Sequence, residues 1–109
     1  MLAASRRANV EDAMTHSIVA IIKVRDGHQA EFEAIAGKLA AAVNASEPGC
    51  LLYTLNRGED PHSYVFMERY RDEDAVKAHR ASEHYRTLGK EMGAHMDGTP
   101  VILRMQELA

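Results

Sequence analysis

The run SIVAIIKV, from Ser17 to Val24, is apolar or β-branched at nearly every position. Such a run reads as a strand covered on both faces rather than a half-wet one. Ile18, Ala20, Ile22 and Val24 point to one side of it, Val19 and Ile21 to the other. A chain of 109 residues makes one domain and buries only a modest share of its surface. Whatever fold the rest of the chain adopts must find cover for both sides of this strand.

Asp26-Gly27 ends the strand, and from His28 the hydrophobic period changes. Phe32, Ile35, Leu39, Ala42 and Val43 recur at steps of three and four, which predicts a helix with one apolar stripe. Pro48 disfavours helical geometry at Glu47 and Gly49 supplies a turn, so the helix stops there. Cys50 to Arg57 and Ser63 to Tyr70 predict two strands joined by the turn GEDPHS, a hairpin. Tyr64, Phe66, Glu68 and Tyr70 fall on one side of the second of these. Asp72 is a helix N-cap, with Glu73 and Asp74 in the first turn where the helix dipole favours them. Ser82 reads as a second cap, predicting a bend and a new helix from Glu83 to about Met96. Gly98 and Pro100 end it, and Val101 to Leu108 predicts the last strand.

The order is βαββαβ: an α+β, ferredoxin-like plan with both helical segments on one face of a four-stranded antiparallel sheet. The helices cover one face and the other stays open; either the Ile18, Ala20, Ile22 side or the Val19, Ile21 side of the first strand could be the open one. An open apolar sheet is an association surface, so the expected state is a two-fold homodimer packed sheet to sheet.

Composition narrows the function. A formal net charge of -3 offers neither a footprint for nucleic acid nor a polybasic stretch for anionic lipid. No apolar run approaches the ~20 residues of a membrane span. One cysteine, Cys50, rules out an internal disulfide and a cysteine-based zinc site; its expected role is that of a small buried residue. Residues 1–16 lack the apolar core of a signal peptide and read as a flexible extension ahead of a domain spanning 17–109. The expected location is a reducing cytoplasm.

Chemistry concentrates after the hairpin. His79 lies near the apolar side of a short helix, where a neutral imidazole could take a proton from an acidic phenol or enol; the alternative is a satisfied buried histidine. Glu68 could act as a hydrogen-bonding acid or base, or form an ion pair with an arginine such as Arg104. Tyr53, Tyr64, Tyr70 and Tyr85 could line an aromatic pocket, with Phe66 on the same strand side, or simply fill a core. His84 follows His79 by five residues, about 140° around an unbroken helix, so the two do not form a chelating pair unless the bend at Ser82 reorients them. No metal site is therefore expected. His16, His28, His62 and His95 are expected at the surface. No GxGxxG or Gly-rich phosphate loop occurs, and no cofactor is expected.

The stretches EPGCLLYTL (Glu47 to Leu55) and VFMERYRDEDAVKAHRASEHY (Val65 to Tyr85) resemble the antibiotic biosynthesis monooxygenase domain. Its ordered pattern is matched by Glu47, Gly49, Cys50, Tyr53, Glu68, Tyr70, Ala75, His79 and His84. The resemblance runs from about Ile18 to Leu108. It implies a dimeric α+β barrel and a small-molecule substrate, with oxygen as co-substrate in the members that oxidise quinols or polyketide phenols without flavin, metal or haem. On that resemblance His79 is a base or proton shuttle, Tyr53 and Tyr70 flank the substrate ring, and Glu68 orients a hydroxyl or anchors the strand end. Tyr64, Phe66 and His84 complete the expected binding set. The haem-degrading members pair an Asn on the first strand with a Trp. Strand one here has no Asn and the chain has no Trp, so haem cleavage is not implied. Two other readings stand beside the first. One is an isomerase or degrader of a small phosphorylated dicarbonyl signalling molecule; the other is a non-catalytic small-molecule-binding dimer.

Overall fold

The computed structural model describes residues 14–109. The expectation of a flexible segment therefore falls mostly on residues outside the described ones. The elements are β1 (His16–Lys23), α1 (Gln29–Ser46), β2 (Cys50–Arg57), β3 (Ser63–Tyr70), α2 (Glu73–Ala81), α3 (Glu83–Gly93) and β4 (Val101–Gln106). The four strands form one antiparallel sheet in the order β2-β3-β1-β4. This is the ferredoxin-like α+β plan, with its second helix split in two.

The period-two pattern of β1 decides the layering. Ile18, Ala20 and Ile22, together with Val24 just beyond the strand, are buried under the helices. In register beside them stand Tyr64, Phe66 and Glu68 of β3. Phe32, Ala36, Leu39 and Val43 of α1 close over that side with essentially no exposure. The buried stripe of α1 uses Ala36, which the i, i+3, i+4 spacing from Phe32 permits, while Ala42 stays at its margin. Gly27 ends the β1 turn at φ +84°, a left-handed conformation that costs glycine little.

Two elements end sooner than the sequence pattern implies. The last helix stops at Gly93, and Met96 instead makes an isolated antiparallel bridge to Val24. The last strand stops at Gln106.

The opposite face of the sheet carries Val19 and Ile21 of β1, Val65 and Met67 of β3, and Val101, Leu103 and Met105 of β4, aligned by the strand register. Ile21 is 36% exposed, Met67 46% and Leu103 46%. No described helix lies on this side, and none is long and apolar enough to cross a membrane.

One close approach fixes how α2 sits on the sheet. Gly49, at the end of the α1–β2 turn, accepts the backbone N–H of Arg71 at 2.9 Å. A Cβ placed on it would lie 2.7 Å from the Cβ of Ala75 in α2. Neither atom can swing aside, so Gly49→Ala should push α2 off the sheet and cost about 1–3 kcal/mol, as overpacking does. Gly37, inside α1, meets nothing within 4 Å, and Gly37→Ala should stabilise by about 0.5–1 kcal/mol through helix propensity. Denaturant unfolding of both variants checks the pair; equal effects would contradict the packing described.

Candidate active site

The break between α2 and α3 is built by Ser82. Its backbone is extended (φ -66°, ψ 146°), its hydroxyl donates to the carbonyl of His79 at 2.6 Å, and its oxygen accepts from the N–H of Tyr85. Ser82 thus closes one helix and caps the next. Asp72 caps the start of α2 through the Ala75 N–H at 2.8 Å.

The break changes where two histidines point. On an unbroken helix they would diverge; here both reach Glu47. Glu47 is held at the C-terminal end of α1 by its N–H to the Val43 carbonyl, and by its own carbonyl accepting from Cys50 at 3.0 Å. Its carboxylate accepts from His79 Nδ1, 3.0 Å from each oxygen, and from His84 Nε2. The arrangement leaves His79 with the proton on Nδ1 and its Nε2 as the free lone pair. Nε2 has no hydrogen-bond partner among the described residues, yet it is not sealed in.

His79 sits among three phenol rings, with centroids 5.2 Å to Tyr53, 5.5 Å to Tyr70 and 4.7 Å to Tyr85. Burial among them holds the imidazole below the usual histidine range, against the opposing pull of the Glu47 carboxylate. At neutral pH the ring is an uncharged base.

A cavity of about 370 Å³ opens between the sheet and α2–α3. That is within the range of small-molecule sites. Tyr53, Phe66, Glu68, His79 and Tyr85 line it, together with apolar groups from β1 such as Ile18 and Ile22. Glu68 projects from β3 and accepts the Tyr70 hydroxyl at 2.6 Å. Burial pushes its carboxyl up to about 7, although the Tyr70 bond and the Arg80 charge pull it down. Glu68 makes no ion pair with Arg104 among the described residues. The Tyr53 and Tyr70 phenols are pushed well above the ordinary range, mainly by burial, and stay protonated.

The residues singled out from sequence divide as follows. His79, Glu68, Tyr53 and Phe66 meet at the cavity. Tyr70 is fully buried behind it and touches it through Glu68. His84 bonds the same Glu47 carboxylate as His79 and does not line the cavity. Tyr64 lies away from the cavity, packed on Phe32 with its hydroxyl on Glu33. Glu47, seen in the sequence only as a motif position, is the partner that orients both imidazoles, and Tyr85 joins the wall. The i, i+5 spacing hides the convergence, because it is meaningful only once the extended residue at Ser82 is known.

Three of the four histidines expected at the surface are only partly exposed and are bonded. His28 and His95 share an Nδ1–Nδ1 contact of 2.9 Å, and His62 bridges Asp26 and Asp60. His16, also partly buried, faces Glu73 at 3.5 Å. Cys50 is partly exposed rather than buried, and its thiol is pushed up to about 11, chiefly by desolvation, so it is no nucleophile.

The expectation of no metal-ligand constellation rested on an unbroken helix and needs correction. Glu47, His79 and His84 offer ligand atoms within 4.8 Å of one another. They are the described residues that could hold a divalent ion, and the imidazole nitrogens that would bind it are the ones now hydrogen-bonded to the carboxylate.

The raised carboxyl of Glu68 has a consequence for stability. A group whose folded pKa exceeds its unfolded value stabilises below the unfolded value and loses that contribution as pH rises through the folded one. Stability of the wild type should therefore fall from about pH 4.5 to about pH 7 through this group. Glu68→Gln, which keeps an acceptor for Tyr70, should flatten that slope and gain on the order of 1–3 kcal/mol at pH 8. Denaturant midpoints across pH test this; an unchanged slope would show that the carboxyl is not desolvated.

Comparison with known proteins agrees with this geometry. The family model described as antibiotic biosynthesis monooxygenase matches residues 15–91. A crystal structure of a candidate antibiotic biosynthesis monooxygenase from Caulobacter crescentus is 35% identical, with a TM-score of 0.87, covering 95% of this chain and 99% of that one. A Pseudomonas aeruginosa protein is 26% identical (TM-score 0.80), covering 90% and 98%. A candidate monooxygenase from Nitrosomonas europaea shares the fold at 18% identity (TM-score 0.83), covering 88% and 92%. A search of curated proteins finds no match. Family and fold together point to small-molecule chemistry of the monooxygenase type. The chain belongs to the antibiotic biosynthesis monooxygenase family.

Proposed function

We propose that this chain is a homodimeric, cofactor-independent monooxygenase that oxidises a quinol-like or polyphenolic small molecule with molecular oxygen. The observation that carries the reading is His79: a neutral imidazole with Nδ1 held by a carboxylate and Nε2 free at an aromatic-walled cavity. That is the arrangement of a general base.

On this reading the substrate ring lies against Tyr53, Phe66 and Tyr85. His79 Nε2 takes the phenolic proton, and Glu47 stabilises the imidazolium that forms. Glu68, close to half-protonated at neutral pH, orients a second hydroxyl, and Tyr70 fixes Glu68. The phenolate then supplies the electrons. One passes to oxygen, and the resulting radical pair joins as a ring hydroperoxide. The proton returned from His79 completes the hydroperoxide. Its O–O bond then breaks as the hydrogen on the same ring carbon leaves as a proton, giving water and a quinone. One oxygen atom ends in the product and the other in water, so the four electrons taken up by oxygen all come from the substrate. Largely apolar walls limit water and protect the intermediate.

A second reading has support from the same residues. The pair His79 and Glu68 could move a proton between carbons of a small dicarbonyl without oxygen, which would make the chain an isomerase. Oxygen uptake separates the two.

His79→Gln should lower kcat about 10²–10⁴-fold with little change in melting temperature. Glu47→Gln should lower it less, because the imidazole keeps a hydrogen-bond partner but loses the charge that steadies its protonated form. The assay is oxygen consumption with a hydroquinone panel on protein treated with chelator. Loss of activity after chelation, restored by a divalent ion, would overturn the cofactor-free reading and favour metal at Glu47, His79 and His84. Product formation under nitrogen would favour the isomerase.

The dimer half of the proposal rests on the helix-free face. Ile21 lies on it, whereas Ile22 faces the helices. Ile21→Lys should shift the protein to monomer in sedimentation velocity and lower its melting temperature. An unchanged sedimentation coefficient would place the contact elsewhere.

A further inference from the structure

The catalytic reading leaves unused the charge around the cavity. Arg80, Arg86 and Lys90 all line it, in a chain whose formal net charge is -3. None of the three is in an ion pair with a described residue. Other arginines are neutralised: Arg57 lies on Glu33, Arg69 on Glu107 and Arg71 on Asp72. Arg80 has a counter-charge inside the cavity, since its field acts on Glu68. Arg86 and Lys90 have none there.

Their placement is also unfavourable without a ligand. They stand at i and i+4 on α3, so their charges face the same way and repel. Between them on that side is Gly89, which also lines the cavity, and a Cβ there would meet nothing within 4 Å. Helix packing therefore does not require the glycine; its effect is to leave room beside the two cations. An anion held there would relieve the repulsion and accept hydrogen bonds from both side chains.

We infer that the natural ligand carries an anionic group, a carboxylate or a phosphate, which Arg86 and Lys90 receive while its ring or carbonyl end reaches His79. This rests on the cavity's being the ligand site and holds whether the ligand is then oxidised or isomerised. The anion acts as a handle: it fixes which end of the molecule meets the base and adds long-range attraction on approach.

The test is binding, read by fluorescence titration and kept separate from turnover. The probes are 2-naphthol, 6-hydroxy-2-naphthoate, 2-naphthyl phosphate and a 2-naphthol bearing a trimethylammonium group. At least one anionic probe should bind ten-fold or more tightly than 2-naphthol, the cationic one most weakly, and added salt should erase the preference. Comparing carboxylate with phosphate identifies the handle. Arg86→Ala/Lys90→Ala alters exposed side chains, so the fold should persist by circular dichroism. It should weaken the anionic probes toward the affinity of 2-naphthol and leave 2-naphthol unchanged. Equal affinity for all probes, or a variant that loses 2-naphthol as well, would overturn the inference alone. Failure of every probe to bind would overturn it together with the cavity as the ligand site.

Discussion

The Glu47 carboxylate accepting two imidazoles is the interaction on which the site depends. It joins the end of α1 to both halves of the split helix, α2 through His79 and α3 through His84. A buried carboxylate without partners would be costly, so the two donors and the position of α3 come as a set. If the helix ran through Ser82 unbroken, His84 would turn away and α3 would no longer form the outer wall of the cavity. The helix break, the orientation of His79 and the existence of the pocket are thus one structural fact seen from three sides.

The sheet contributes by alternation. On β3, one side gives Tyr64, Phe66, Glu68 and Tyr70 to the helices, and the other gives Val65 and Met67 to the open face. Along the helix side the character changes with position. Phe66 and Glu68 meet the cavity, while Tyr64 belongs to the core around Phe32. A single strand therefore serves core, pocket and open face, which is how so short a chain fits a cavity and an open apolar face into one domain.

Much of this is legible in the sequence, for physical reasons. The period-two run of β1 marks two distinct apolar sides, because alternate side chains of a strand point to opposite faces of a sheet. Pro48-Gly49, Asp72 and Ser82 mark the helix limits, because caps and breakers act locally. His79 and Glu68 stand out as ionisable groups among apolar neighbours. What escapes is whatever depends on side chains far apart in sequence. Glu47 and His79 are 32 residues apart, and nothing local announces that they meet. The periodicity of Tyr64 is the same as that of Phe66, so only the depth along the strand separates a core tyrosine from a pocket wall. The cations of α3 look like any solvated helix face until the cavity beneath them is seen.

The central claim is that His79 is an uncharged base, with its proton on Nδ1 toward Glu47 and its Nε2 lone pair at the cavity. Long-range proton–nitrogen NMR of the imidazole side chains across pH reads tautomer and titration together. The account predicts that His79 at neutral pH shows a protonated Nδ1 and an unprotonated Nε2, and that it takes up its second proton only below the ordinary histidine range. A His79 that is doubly protonated at pH 7, or that carries its proton on Nε2, would contradict it.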